Sequence, residues 1–240
     1  MSIVGAALVP AAPVLLPALS GREQPAATVL HSALGVIRQL IDSAPEEIIV
    51  LAEAESDGVF DESAPWGLHR LGGMATGSSS DAPAMAREPL PVPLAIGAAL
   101  LNLAGWTGPT AFHALDRAMS PKAAIESGGR LGLGTRPVGL LLLGNGSACC
   151  SDKAPGSFNA GAQAFNEALK TLILDSDQAT MERISPEAAA EQLSDVRVPL
   201  QVLTGAGAAV RLRGSIAYDE PYMGVHYICA AFLPVGATDQ

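Results

Sequence analysis

The sequence predicts a single α/β domain built on parallel strands. Its 240 residues are 49% hydrophobic, which is enough for one large core and does not require a second domain. The apolar run at residues 3–9 and the β-branched run at residues 48–52 have the composition of strands buried on both faces. Residues 27–41, between them, have the periodicity of a helix. Strand, helix and strand in this order indicate a parallel βαβ unit.

Turn residues bound these first elements. Prolines at 10 and 13 end the first strand, and Ala44-Pro45 separates the helix from the second strand. The helix has one apolar face, because its apolar residues recur at spacings of three and four. Those residues are Leu30, Ala33, Leu34, Ile37, Leu40 and Ile41.

Hydrophobic periodicity disappears from residue 57 to residue 93. Paired glycines, a run of serines and four prolines between Pro83 and Pro93 are typical of irregular chain. Such a long segment inside one domain predicts either a functional loop or disorder. We therefore expect one domain over residues 1–240 with an irregular loop at about 57–93.

Helices and strands alternate again after this segment. Residues 94–103 form an Ala/Leu-rich helix that Gly105 is placed to end. Residues 110–115 are a candidate strand, and residues 137–143 are the clearest strand of the chain, because glycines stop a continuous apolar run.

Two more helices and a candidate hairpin complete the pattern. An apolar stripe marks the first helix, and Ser185-Pro186-Glu187 gives the second a cap, a first-turn proline and an early acid. The stripe is Ala162, Phe165, Leu169, Leu172 and Ile173. Residues 211–218 and 225–233 are strands, with residues 219–224 between them.

Charge and composition argue against two classes of partner. With 14 Lys and Arg against 24 Asp and Glu, the net charge of −10 repels nucleic acid phosphates. No apolar run approaches the roughly 18 residues of a membrane helix. The N-terminal segment lacks an early basic residue and contains three prolines, unlike a signal peptide, and three cysteines form no disulfide framework. We expect a soluble, cytoplasmic protein.

His226 is the candidate catalytic residue. The other histidines, His31, His69 and His113, are far from it and from one another in sequence, and no spacing typical of a metal site occurs. His226 lies in the last strand beside a turn, where side chains often face a cleft. The alternative is a core histidine bonded to the backbone.

Glu53 and Glu55 are candidate ligand-binding residues. They follow the second strand, at the edge where an open α/β sheet binds its ligands. If the strand continued, both carboxylates would share one face, and their repulsion would raise one pKa. The alternative is a solvated turn.

The glycine-rich segment at residues 144–156 is the second candidate ligand site, with Asn145, Ser147, Asp152 and Lys153 as its polar side chains. It follows a buried strand, and its glycines allow backbone N–H groups to approach an anion. It does not match the phosphate-loop pattern. An ordinary glycine-turn loop is the alternative.

The same segment contains the vicinal pair Cys149-Cys150. Adjacent thiols can be redox-active, although buried, inert thiols are more common.

Three segments, at residues 9–17, 144–156 and 217–225, together resemble actinobacterial members of the class III extradiol ring-cleavage dioxygenase family. The similarity extends over nearly the whole chain. The resemblance implies a three-layer α/β/α sandwich around a mostly parallel mixed sheet, with a site at the carboxyl end of the sheet. Enzymes of this family hold Fe(II) with two histidines and a glutamate, use a further histidine as acid or base, and cleave catechol-type rings with O₂.

The chain departs from that iron site. The family's first histidine follows the first strand in a Pro-His-x-Pro-like setting, where this chain has Ala11. The second follows the second strand, where this chain has residues Ala52-Glu53-Ala54-Glu55. Alanine has no donor atom, and a carboxylate changes the charge and geometry of a site. We assign no metal ligand, and Fe(II) or another divalent metal is left as an alternative.

Three functions are compatible with these features. The first is a relative that has the fold and pocket without the iron, and either binds a small molecule or catalyses different chemistry. The second is a metal-dependent ring-cleaving dioxygenase with a rewired site drawn from Glu53, Glu55, Asp57, His69 and His226. The third is a structural component of a homo-oligomer, with Ala-rich helices as its interface.

Overall fold

The computed structural model describes residues 2–20, 24–67, 76–77, 88–133, 136–175, 181 and 183–235. The strands are β1 (Ser2–Val9), β2 (Glu47–Ala54), β3 (Gly58–Phe60), β4 (Trp66–Gly67), β5 (Thr76–Gly77), β6 (Thr110–Asp116), β7 (Pro137–Leu143), β8 (Leu212–Tyr222) and β9 (Val225–Pro234). The helices are α1 (Pro17–Ser20), α2 (Ala27–Asp42), α3 (Val92–Ala104), α4 (Pro121–Gly132), α5 (Ala162–Asp175), α6 (Pro186–Glu191) and α7 (Arg197–Ala206). Within these ranges, none of the helices combines the length and hydropathy needed to cross a bilayer.

One mixed sheet of seven strands organises the fold, in the order β3-β6-β2-β7-β1-β9-β8. The four central strands β6, β2, β7 and β1 are parallel, and β3 and β9 are antiparallel to their inner neighbours. The α/β prediction is confirmed. β7 lies between β1 and β2, so the βαβ connection that starts the chain passes over one strand. Part of the segment predicted to be irregular forms β3 and the separate two-stranded ribbon of β4 and β5.

Helices cover both faces of this sheet. On one face α2 and α3 pack against β1 and β2 through the cluster that includes Ala7, Val9, Val36, Val50 and Leu94. On the other face α4, α5 and α7 pack against the same strands and β7, through the cluster that includes Leu8, Leu51, Ala124, Leu172 and Leu200. Each large aliphatic side chain buried in these layers stabilises the fold by about 1.5–3 kcal/mol. The result is an α/β/α arrangement of layers.

Glycines allow α4 and α7 to touch backbone to backbone. A Cβ on Gly128 would lie 1.9 Å from the carbonyl oxygen of Val202, and a Cβ on Gly205 would lie 1.9 Å from that of Ile125. Any side chain at either position would force the helices apart.

A tight turn joins β8 and β9 into the predicted hairpin. Tyr222 pairs with Val225, and the two turn residues, Met223 and Gly224, have φ angles of 50° and 82°. Positive φ at both positions is the requirement of a type I′ turn, whose twist matches that of the strands. β8 therefore continues to Tyr222, and Asp219 is a strand residue and not part of the connection.

Candidate functional site

The carboxyl ends of the parallel strands lie along one edge of the sheet. Because β9 runs antiparallel to β1, the beginning of β9 and the end of β8 lie at this edge as well. The chain that follows β7, residues 144–159, crosses the edge and contacts the residues of two cavities. Crevices at this position are the usual ligand sites of open α/β sheets.

The first cavity has a volume of about 420 Å³, and we call it the His226 cavity. It lies between α5, the β8–β9 hairpin and the chain after β7. Its lining residues are Cys150, Phe158, Asn159, Ala160, Ala162, Gln163, Asn166, Glu167, Lys170, Asp219, Pro221 and His226.

Asp219 contacts two side chains of this cavity. Its Oδ1 is 2.7 Å from His226 Nε2, and its Oδ2 is 2.7 Å from Lys170 Nζ. The strand register explains the first contact, because Asp219 pairs with Ile228 and so lies diagonally across from His226 on one face. Burial alone would raise the pKa of Asp219, but the hydrogen bonds from Lys170 and His226 outweigh it and hold that pKa below its ordinary value. Asp219 is thus an ionised carboxylate at neutral pH.

Ser147 forms part of the structure beneath the cavity wall. It is fully buried, its hydroxyl donates to Gln192 Oε1 at 2.8 Å, and its N–H donates to Asn166 Oδ1 at 2.9 Å. The backbone around it pairs with β9, since the Gly146 N–H donates to the His226 carbonyl at 2.9 Å and the His226 N–H to the Ser147 carbonyl at 2.8 Å. These bonds fix the chain after β7 against His226.

The second cavity, the Glu53 cavity, has a volume of about 340 Å³. It is lined by Glu53, Arg117, Pro186, Ala189, Ala190, Leu193, Ser194, Asp195 and Arg197. Glu53 Oε1 accepts the Val198 N–H at 2.9 Å. Asp195 Oδ1 accepts the backbone N–H of Asn145 at 2.5 Å, and its Oδ2 is 3.4 Å from Asn145 Nδ2. Asn145 therefore contacts the carboxylate of this second cavity.

Both carboxyl groups of the Glu53 cavity hold protons unusually tightly. Burial raises the pKa of Glu53 to about 7, with the Val198 N–H opposing the shift and the charge of Asp195 adding to it. Burial also raises the pKa of Asp195 to about 6, against the hydrogen bonds from Asn145. The pair is therefore partly protonated near neutral pH.

The remaining predicted site residues lie away from these cavities. Glu55 is 84% exposed and forms an ion pair of 2.8 Å with Arg117, which is 58% exposed. The raised pKa of Glu53 therefore comes from burial and not from repulsion by Glu55. Asp152 and Lys153 have exposed side chains and line neither cavity.

The described side chains do not fit the Fe(II) site that the resemblance implies. Within the described ranges, no group of three or more His, Cys, Asp or Glu side chains is placed to hold a metal. Ala11 has no donor atom, and Glu53 already accepts a backbone N–H. Asp219, the carboxylate beside His226, already has the Lys170 ammonium at 2.7 Å. His69 lies outside the described residues.

Three side chains of the His226 cavity were not predicted: Asp219, Lys170 and Asn166. A signal existed for the last two, because Asn166 and Lys170 are four residues apart and so share a face of the predicted helix α5. No comparable signal marked Asp219, whose neighbours in sequence are turn-forming residues.

Comparison with known proteins shows a likeness of fold. The chain is similar to the crystal structure of the uncharacterized protein JW3007 from Escherichia coli K12, with a TM-score of 0.57 and 15% sequence identity. The match covers 96% of this chain and 99% of that one. No protein-family model and no curated protein sequence matches the chain.

Proposed function

We propose that this chain binds a small hydroxylated aromatic molecule in the His226 cavity, and that the His226–Asp219 pair exchanges a proton with its hydroxyl group. The chain of contacts from Lys170 through Asp219 to His226 on the cavity wall carries the proposal. The cavity, at about 420 Å³, is within the range of about 300–1,000 Å³ that is typical of small-molecule sites.

Asp219 provides what an acid–base histidine needs. A carboxylate 2.7 Å from one imidazole nitrogen orients the ring and stabilises its protonated form. Lys170 balances the Asp219 charge while His226 is neutral. Once His226 accepts a proton, the three groups carry a net positive charge, which favours the anionic oxygen of a deprotonated hydroxyl group.

The apolar part of the cavity supports an aromatic ligand. Phe158 is 59% exposed, and it and Pro221 line the cavity together with the polar groups. An exposed aromatic ring beside polar groups can stack on a planar ligand. The class III extradiol resemblance, which implies catechol-type substrates, supports the same ligand class.

The test is a calorimetric titration with phenol and catechol, and with cyclohexanol as a ligand of similar size without an acidic hydroxyl or a planar ring. We expect cyclohexanol to bind at least about tenfold more weakly than phenol, a difference of ~1.4 kcal/mol. His226→Gln should weaken phenol binding by a similar factor. His31→Gln, which changes an exposed histidine of α2, is the matched control. Equal affinity for phenol and cyclohexanol, or an unaffected His226→Gln variant, would refute the proposal.

The alternative function, ring cleavage by Fe(II) at a rewired site, gives a different result. Elemental analysis after anaerobic loading with Fe(II) should find well below one iron per chain. About one iron per chain, together with O₂ consumption when a catechol is added, would replace our proposal with that function.

A further inference from the structure

We propose that Cys150 is a nucleophilic thiol of the His226 cavity and adds to small conjugated carbonyl compounds. Among the three cysteines, Cys149 and Cys229 are 2% and 0% exposed, whereas Cys150 is partly exposed and lines the cavity. The inference goes beyond reversible binding of a hydroxylated ring, because it assigns a covalent reaction to a different side chain.

Asn166 provides a hydrogen bond to the Cys150 sulfur. Asn166 is 6% exposed, and its Oδ1 accepts the Ser147 N–H at 2.9 Å, which determines the orientation of the amide. Its Nδ2 is consequently directed at Cys150 Sγ, 3.5 Å away. A donor that points at sulfur favours the thiolate, which is the reactive form.

The position of Cys150 is fixed by its backbone. Its N–H donates to the Gly224 carbonyl at 3.0 Å, which connects the chain after β7 to the tight turn of the hairpin. His226, on the same cavity wall, provides a base for the thiol proton. Cysteine, asparagine and histidine thus converge on one cavity of ligand size.

The reaction needs no oxidant or cofactor. The sulfur electron pair forms a bond to the β-carbon of the conjugated carbonyl compound, its C=C π bond breaks, and the electrons move to the carbonyl oxygen. The proton from the thiol passes to His226 and then to the resulting enolate. Quinones, the oxidised forms of hydroxylated rings, belong to this class of electrophile.

N-ethylmaleimide, a planar conjugated carbonyl compound, is a suitable probe. We expect one adduct per native chain, located at Cys150 by peptide mass spectrometry. Asn166→Asp retains the oxygen that accepts the Ser147 N–H but removes the donor to sulfur, and should slow the reaction about tenfold near pH 7. Gln163→Glu adds the same charge to the same helix and cavity, without touching the sulfur, and is the matched control.

Adducts on Cys149 or Cys229, or an Asn166→Asp variant no slower than Gln163→Glu, would overturn the inference. If Asn166→Asp does not fold, the unmodified sequence still decides the matter. Native Cys150 should react at least about fivefold faster below pH 7 than Cys150 in the urea-unfolded chain, and a slower native rate contradicts the inference. Phenol binding without a reactive Cys150 contradicts only this inference, and an adduct without phenol binding contradicts only the proposed function.

Discussion

Glu53 and Val198, 145 positions apart in the chain, share a hydrogen bond of 2.9 Å from the Val198 N–H to the Glu53 carboxylate. Val198 is in the first turn of α7, where backbone N–H groups have no partner within the helix. Glu53 at the end of β2 therefore caps α7. Its protonation state should affect how firmly the helix is held on the sheet.

Stability should fall as the pH rises towards neutrality. The pKa of Glu53 is about 7 in the folded state against an ordinary value of 4.5, so the native state binds this proton more tightly than the unfolded chain. The stabilisation from Glu53 is complete below its ordinary pKa and is lost as the pH rises through about 7. Asp195, with a pKa raised to about 6, acts in the same direction.

Glu53→Gln isolates this effect, because glutamine can still accept the Val198 N–H. The decrease in the free energy of unfolding between about pH 5 and about pH 8 should become smaller by about 1–3 kcal/mol. Urea unfolding at several pH values measures this difference. The control is Glu55→Gln, which changes an exposed carboxylate two residues away. A pH dependence as steep in Glu53→Gln as in the unmodified protein would show that this carboxyl group is not its source.

Arg197→Met should destabilise the fold by about 2–4 kcal/mol. Arg197 is 1% exposed, and its guanidinium donates to the carbonyl oxygens of Met119 at 3.0 Å and Arg117 at 2.6 Å, and to Gln201 Oε1 at 2.9 Å. Methionine fills a similar space but leaves these buried acceptors without a donor. The urea midpoint measures the loss, and Arg213→Met on exposed β8 should shift it by less than about 0.5 kcal/mol. Equal shifts would contradict the prediction.

Two neighbouring glycines of α4 should respond to alanine with opposite signs. In Gly128→Ala the new Cβ would lie 1.9 Å from the Val202 carbonyl oxygen, so α4 and α7 must separate, at a cost of about 1–3 kcal/mol. In Gly129→Ala the new Cβ meets no atom within 4 Å, and the higher helix propensity of alanine should stabilise the protein by up to about 1 kcal/mol. Thermal unfolding of both variants checks the prediction, and two changes of the same sign would contradict it.

Asp219→Asn should lower stability at neutral pH by about 1 kcal/mol or less, because it removes the ionic contacts to Lys170 and His226. The folded-state pKa of Asp219 is below its ordinary value of 3.8, so its stabilisation is present above that value and is lost as the pH falls through the lower folded-state pKa. The difference between variant and unmodified protein should accordingly disappear in strong acid. Urea unfolding at neutral and acid pH measures it, with exposed Asp152→Asn as the control. A difference that persists in acid would point to a packing defect.

The central strands could be predicted because strands buried on both faces have continuous apolar sequences. β7 has the predicted bounds, and α2 extends one residue past the predicted helix because its single apolar face gave a clear periodicity. The helices α4 and α7 were not predicted. α7 is buried along nearly its whole length and therefore has no polar face, and α4 contains glycines whose role lies in contact with α7.

The site was predictable only in part. His226 was expected at a cleft because it lies near the end of a strand, and it does line a cavity, although its catalytic role is still a proposal. Asp219 was placed in a connection because Asp, Glu and Pro are turn-forming residues, whereas the strand runs through them to the turn at Met223-Gly224. Its contact with Lys170 depends on how α5 crosses β8, which no local sequence pattern encodes.

The position of β1 between β7 and β9 has a consequence for biosynthesis. β1 leaves the ribosome early, yet its partners are residues 137–143 on one side and residues 225–234 on the other. Until they are made, an apolar strand has two unpaired edges, a condition that slows folding and favours aggregation. His226 lies at the beginning of β9, so the acid–base pair joins the cavity wall only when this late strand docks. A nascent chain that stops short of β9 therefore lacks this chemistry.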